Sequence, residues 1–230
     1  MSSLPWLNNE NFEFPAPDSA LAEPNGLLAA GGNLAPERLI EAYSKGIFPW
    51  FEDGQPILWW TPDPRMVLYP DELHISRSLA KAMRKSEFDI CTDTAFAHVI
   101  SACADTRTYS QGTWITVEMI EAYCRLHELG VAHSVEVYEG DTLVGGLYGL
   151  AIGDVFFGES MFSRRTNASK LAFAWLVPKL GALGYRLVDC QVSSPFLASS
   201  GAREIPRSEF LTQLPKSTDY GRNRLHWPLQ

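Results

Sequence analysis

"AHSVEVYEGDTLVGGLYGLAIGDVFFGESMFS", residues 132–163, decides the fold. "AHSVEVYEG" (132–140) and "DTLVGGLYGLAIG" (141–153) alternate at the strand period, and "DVFFGESMFS" (154–163) is a third strand candidate. "EGD" (139–141) and "IGD" (152–154) set Gly beside Asp where the chain must reverse. The stretch therefore reads as three successive strands. Upstream, "TVEMIEAYCRLHELG" (116–130) changes to helical spacing: Met119, Ile120, Tyr123, Leu126 and His127 follow one another at that period, with Thr116 placed to cap them and Gly130 to end them. Downstream, "NASKLAFAWLVPKLGALG" (167–184) reads as a helix capped by Asn167, kinked at Pro178 and ended by Gly184. "YRLVDCQV" (185–192) is a short strand, nearly all apolar except at Asp189 and Gln191.

The order helix–β–β–β–helix–β resembles the GNAT acyltransferase fold. The expected class is α+β: a small N-terminal α/β domain over residues 1–63, then a GNAT-like domain over residues 64–230. In the first part, "FPAPDSALAEPNG" (14–26) is punctuated by Pro and Gly, so helices there are expected to be short. "APERLIEAYSKG" (35–46) predicts a helix with Pro36 near its start and Gly46 past its end. "IFPWF" (47–51) and "ILWWTPDPR" (57–65) flank the polar "EDGQP" (52–56) as a hairpin would. Helices are also expected over 74–85, with Ser76 as cap, and over 92–105, with Phe96, Val99, Ile100 and Cys103 on one stripe. The segment after residue 192 should hold one or two short helices.

The 230 residues carry a net charge of −8, so a nucleic-acid contact must use a local patch and not the molecule's overall charge. The four cysteines (Cys91, Cys103, Cys124, Cys190) show no CxxC spacing and read as reduced thiols, not a zinc site or disulfide frame. The N-terminus has neither a basic n-region nor an apolar h-region. No apolar run approaches the roughly 20 residues of a membrane span. The expectation is a soluble, cytoplasmic, monomeric protein with no membrane partner. The five His make no metal spacing, and GxxxxGK[ST], GxGxxG and GxSxG are absent. No metal and no cofactor are expected.

Four groupings remain that could carry chemistry. Tyr43, Phe48, Trp50, Phe51, Trp59 and Trp60 crowd one short stretch. They could be a small core, or a stacking platform for a base, with Trp114 in "QGTWIT" a second candidate. Arg77, Lys81, Arg84 and Lys85 share one helix face, either simply solvated or a seat for phosphates. Asp189 and Gln191 are two apart on a strand and so share a face. They form either a satisfied internal network or a polar pair aimed into a cleft. In "GESMFSRRTNASK" (158–170), Glu159 sits between a glycine and apolar residues: a salt-bridged strand end, or an acid at the rim of an apolar pocket.

Together with "EPNGLLAAGGNL", "AYSKGIFPWF", "PILWWTPDPR", "LVGGLYG" and "GAREIPR", these stretches closely resemble the bacterial leucyl/phenylalanyl-tRNA–protein transferase family over nearly the whole chain. The resemblance implies transfer of Leu or Phe, and less readily Met, from aminoacyl-tRNA to proteins with N-terminal Arg or Lys, marking them for N-degron proteolysis without ATP, metal or CoA. It implies that Trp50 and Trp114 grip the terminal adenosine while Tyr43 and Tyr123 line the cleft. Leu147, Phe156, Met161, Phe173, Leu176 and Val188 would hold the Leu or Phe side chain. Glu159 would meet a substrate amino or guanidinium group, and Asp189 and Gln191 would accept a proton from, or orient, the attacking amine. Ser163 would line the cleft or fix the loop backbone, and Arg77, Lys81, Arg84 and Lys85 would hold acceptor-arm phosphates. Two other functions compete: a CoA-dependent N-acetyltransferase, against which the Gly-poor "FSRRTNAS" speaks, and a non-catalytic tRNA- or N-degron-binding module.

Overall fold

A computed structural model describes residues 4–85, 87–108 and 114–214. In it, the chain up to Trp60 builds a four-stranded sheet from β1 (Trp6–Leu7), β2 (Leu27–Gly31), β3 (Phe48–Pro49) and β4 (Leu58–Trp60), ordered β1-β2-β4-β3. Between β2 and β3 runs α1 (Pro36–Ser44), with Pro36 opening it and Gly46 at φ +71 beyond its end. β3 and β4 are the expected antiparallel pair around the polar turn.

The remainder forms one seven-stranded sheet. Its strands are β5 (Arg65–Leu68), β6 (Asp89–Thr92), β7 (Ala132–Glu139), β8 (Thr142–Ile152), β9 (Val155–Ser163), β10 (Leu187–Gln191) and β11 (Arg203–Ile205), in the order β11-β5-β10-β9-β8-β7-β6. The helices are α2 (Arg77–Lys85), α3 (Phe96–Thr108), α4 (Val117–Glu128), α5 (Ala168–Ala182), α6 (Pro195–Ser199) and α7 (Arg207–Thr212). The order α4-β7-β8-β9-α5-β10 is the one expected. The crossover through α5 makes β10 parallel to β9, while β7, β8 and β9 form an antiparallel meander.

Both faces of this sheet are covered. On one, Phe157, Tyr148 and Leu150 join α3, α4, α1 and the small sheet in a single core, in which Tyr43 meets Phe157 edge-on at 5.3 Å between ring centres. On the other, Leu147, Ala151, Phe156 and Val188 pack under α5. The alternation read from the sequence does not mark a solvent face, because burial covers both faces, each large side chain contributing about 1.5–3 kcal/mol. Gly145 lets α5 come close: a Cβ there would lie 2.4 Å from that of Ala168.

Several expectations need correction. Residues 14–26 hold one short helical turn, Pro17–Ser19, ahead of β2, whereas residue 92 closes β6, so the helix expected from 92 begins at Phe96. The short strands β5 and β11 have no counterpart in the periodicity reading. Asn167 does not cap α5 through its side chain: it sits at φ 68 without such a bond. Ser163 takes that part instead, accepting from the Ser169 backbone N–H at 2.9 Å and donating to Ser169 Oγ at 2.8 Å. Thr116 and Ser76 cap as expected, accepting from Met119 and Leu79. No described helix is long and apolar enough to cross a membrane.

Candidate active site

The site lies where β9 and β10 part. Their pairing ends at Asp189 opposite Phe157. Immediately beyond, each strand carries an extra residue. Opposite β8, Tyr148 pairs with Ser160 and Gly149 with Gly158, which leaves Glu159 unmatched. Opposite β5, Asp189 pairs with Val67 and Gln191 with Met66, which leaves Cys190 unmatched. Bulges re-aim side chains and bend the strand. Two of them side by side open the sheet.

The opening is a cavity of about 340 Å³. All six apolar residues that the family resemblance assigns to the side-chain pocket line it: Leu147 from β8, Phe156 and Met161 from β9, Phe173 and Leu176 from α5, and Val188 from β10. Phe156 owes its place to Gly149, where a Cβ would come within 2.7 Å of the ring. Val177, Val192 and Leu197 complete the apolar wall. These three are absent from the sequence reading, although the helical spacing of Phe173, Leu176 and Val177 would have located the last of the α5 residues.

Glu159 and Gln191 stand at the mouth. Glu159 is 9% exposed. Its Oε1 accepts from Gln191 Nε2 at 2.7 Å and its Oε2 from Tyr123 Oη at 3.2 Å. Tyr43 Oη in turn meets Tyr123 Oη in a short contact. The tyrosines do not line the cleft as expected. Both are fully buried behind Glu159, and burial, then the nearby carboxylate, pushes both phenols well above their usual range. Burial raises Glu159 to about 7, with the Asp189 charge adding to the rise and hydrogen bonding from Tyr43, Tyr123 and Gln191 opposing it. A carboxyl group that titrates near neutrality at the mouth of a cavity is suited to proton transfer.

Asp189 lies one layer deeper. Its side chain is wholly buried, and its oxygens accept from Arg65 Nε at 2.8 Å and Nη2 at 2.7 Å. Oδ1 also accepts from the backbone N–H of Gln191 at 2.9 Å, where the chain turns left-handed at φ 61. The Asp189 carboxylate is therefore held by a guanidinium, while the residue also contributes to the cavity wall. Arg65 is missing from the sequence reading as a site residue. The signal for it was a lone cation in the apolar run "RMVL". Cys190, between the two, is raised by burial and is a poor nucleophile.

Trp50 and Trp114 share a smaller hollow of about 100 Å³ with Phe48, Pro49, Glu159, Gln191 and Val192. Trp50 is 45% exposed and is held from behind by Trp60, whose indole N–H donates to the Trp50 carbonyl at 2.7 Å. Glu159, Gln191 and Val192 line both hollows, so the two meet at the polar pair. Ser163 lines neither and fixes the start of α5. On α2, Leu79 packs against Leu171 and Ala174 of α5, while Arg77, Lys81 and Arg84 are exposed and make no ion pair among the described residues. The Lys85 side chain lies outside the described part of the structure.

Residues 67–215 match the family model of the leucyl/phenylalanyl-tRNA protein transferase, and residues 32–63 match the model of its N-terminal domain. Leucyl/phenylalanyl-tRNA–protein transferases of Stutzerimonas stutzeri and Ectopseudomonas mendocina are similar at 58% and 61% identity, over 94% and 93% of this chain and 96% and 94% of theirs. The relative in Cellvibrio japonicus is 55% identical over 97% of this chain and 96% of its own. Among solved structures, a GCN5-related N-acetyltransferase from Kribbella flavida is similar at 12% identity and a TM-score of 0.41, over 75% of this chain and 61% of that one. With two family models matched in order and relatives aligned almost end to end, this chain belongs to the leucyl/phenylalanyl-tRNA–protein transferase family.

Proposed function

We propose that this protein transfers Leu or Phe, and less readily Met, from aminoacyl-tRNA to the α-amine of an N-terminal Arg or Lys. The observation that carries this reading is the junction of two hollows at one polar pair: an apolar cavity sized for a side chain and an aromatic one sized for a ring. The terminal adenosine stacks between Trp50 and Trp114. The aminoacyl side chain enters the larger cavity, which puts the ester near Glu159 and Gln191. Arg77, Lys81, Arg84 and Lys85 take the acceptor-arm phosphates.

The chemistry asks little of the protein. The amine nitrogen attacks the ester carbonyl, a C–N bond forms, the C–O bond to ribose breaks, and the tRNA leaves with a free hydroxyl. An N-terminal amine has a reference pKa of about 7.7–8.0, so a useful share is neutral at pH 7. Glu159, near 7, is matched to receive the proton that this nitrogen sheds and to return it to the departing ribose oxygen. Gln191 donates to Glu159 and keeps its carbonyl free among the described residues to accept from the amine. Positioning supplies much of the acceleration. No CoA is called for, and the β9–α5 turn, "RRTN", carries no glycine for a pyrophosphate cradle. The protein would act as a monomer in the cytoplasm, where its product is a substrate for N-degron proteolysis.

The test is incubation with labelled Phe-tRNA and an Arg-initiated peptide, without ATP or CoA. Label in the peptide, lost when Arg is changed to an acidic residue, supports the reading. Bound Phe-tRNA without transfer leaves a tRNA-binding module.

A further inference from the structure

We infer that Arg65 is a positioning residue for this reaction: through Asp189 it fixes the backbone of Gln191 and so aims the Gln191 amide at Glu159. The inference rests on the transferase reading for its activity assay but not for its structural one.

The chain of contacts is continuous. The Arg65 guanidinium grips both oxygens of Asp189. Asp189 Oδ1 holds the Gln191 N–H, and Gln191 Nε2 reaches Glu159 Oε1. Gln191 sits at φ 61, a conformation a side chain with a Cβ rarely takes without an external hold. The Asp189 oxygen supplies that hold, and Arg65 keeps the carboxylate in place. Arg65 is itself clamped between two rings, Phe48 at 4.8 Å and Phe210 at 4.7 Å from its guanidinium carbon. Phe48 also lines the hollow of Trp50 and Trp114. One cation thus ties the base-stacking wall, the end of β10 and α7 into one geometry.

Stability alone does not account for the pair. Arg65 and Asp189 are both 0% exposed. A buried ion pair of this kind commonly can be replaced by apolar side chains of similar volume without loss of stability. What an apolar pair cannot reproduce is an acceptor fixed beneath the Gln191 N–H. The planar fork also separates Arg from Lys, which would reach one carboxylate oxygen and lose the stacking.

The experiment uses Arg65→Met, Arg65→Lys and the double variant Arg65→Met/Asp189→Leu, the last chosen because it leaves no unpaired buried charge. Two things are measured: single-turnover transfer from Phe-tRNA to an Arg-initiated peptide, and the Gln191 side-chain amide in 1H–15N spectra across a pH titration. In the wild-type protein that amide signal should move as Glu159 titrates. Expected is a folded double variant whose amide no longer follows Glu159, with transfer down about a hundredfold, the scale of a misplacement of about 1 Å. Arg65→Met should match it, and Arg65→Lys should fall between them and wild type. An amide that still tracks Glu159 in the folded double variant overturns the inference, as does wild-type transfer by folded Arg65→Met. If the wild-type protein transfers nothing, the proposed function fails, and the amide titration still decides this one.

Discussion

The substitution Glu159→Gln should make the protein more stable at pH 8 and leave it nearly unchanged at pH 4. The folded protein keeps the Glu159 proton to about pH 7, whereas the ordinary value, taken for the unfolded chain, is 4.5. Between those limits folding takes up a proton, so raising the pH opposes folding. The stabilising contribution of the protonated acid is complete below about pH 4.5 and is lost as the pH passes through about 7. At about 1.36 kcal/mol per pH unit, the full span corresponds to about 3 kcal/mol. The substituted amide has no proton to lose. Its carbonyl can accept from one neighbour and its NH2 can donate to the Tyr123 oxygen or the Gln191 carbonyl, so both present partners can be kept. Urea unfolding of both proteins at several pH values measures the difference. The gap should open from near zero to about 3 kcal/mol in favour of the variant, or about 6–12 °C in Tm for a chain of this size. Transfer activity should be lost over the same range, because an amide accepts no proton. A gap that does not change between about pH 5 and pH 8 would refute the assignment of Glu159 as a carboxyl group that titrates near 7.

Trp50→Ala should weaken binding of Phe-tRNA by about 1–3 kcal/mol, the worth of one stacked base, with little change in Tm because the ring is half exposed; equilibrium binding and a thermal melt separate the two effects. Changing Arg77, Lys81 and Arg84 together to Ala should flatten the log–log salt dependence of tRNA binding by about 2–3, at about 0.7–0.9 for each phosphate no longer neutralised. An unchanged slope would remove α2 from the interface. Ser163→Ala should cost about 1 kcal/mol in urea unfolding, the usual value of a missing helix cap, and should leave transfer close to wild type. A large drop in transfer at full stability would return Ser163 to the cleft.

The strands and helices from residue 116 to residue 192 were legible because the Gly-Asp turns at 139–141 and 152–154 mark where the strands end, and because α4 keeps its stripe. The cavity residues come from the family resemblance; periodicity alone puts Leu147, Phe156 and Val188 on the core side without saying that the core is open there. What opens it is a pair of bulges, at Glu159 and at Cys190. A bulge is fixed by how two strands pair, and one strand's alternation carries no record of it. The same limit hid the true position of Asp189. Simple alternation makes Asp189 and Gln191 equivalent, but with Cys190 unmatched and Gln191 turned left-handed, one carboxylate meets Arg65 and one amide meets Glu159. β5 and β6, at four residues each, are too short to show a period, so the partner of Asp189 lay in a strand the pattern could not reveal.

Local rules are broken at several places in this chain, and only some of them belong to the site. Asp93 also sits at positive φ, but its carboxylate oxygens are used within the fold, by His133 Nδ1 at 2.7 Å and the Ser134 N–H at 2.8 Å. Arg38 is as buried as Arg65, yet it binds the carbonyls of Asn8 and Asn11 at 2.6 Å each and simply ties down the N-terminal segment. An unusual conformation or a buried charge is therefore a weak sign of function when its partners close on themselves. At Glu159 and Gln191 they do not close. The partners there run from Arg65 through Asp189 and Gln191 to Glu159 on one side, and from Tyr43 through Tyr123 to Glu159 on the other. Both lines end on one carboxyl group at the junction of two hollows. That convergence, and not the burial of any one acid, distinguishes Glu159 from the other buried carboxylates. Glu136 makes the contrast: burial raises it as well, but it is held by Ser134 and the Ala95 N–H and lines neither hollow.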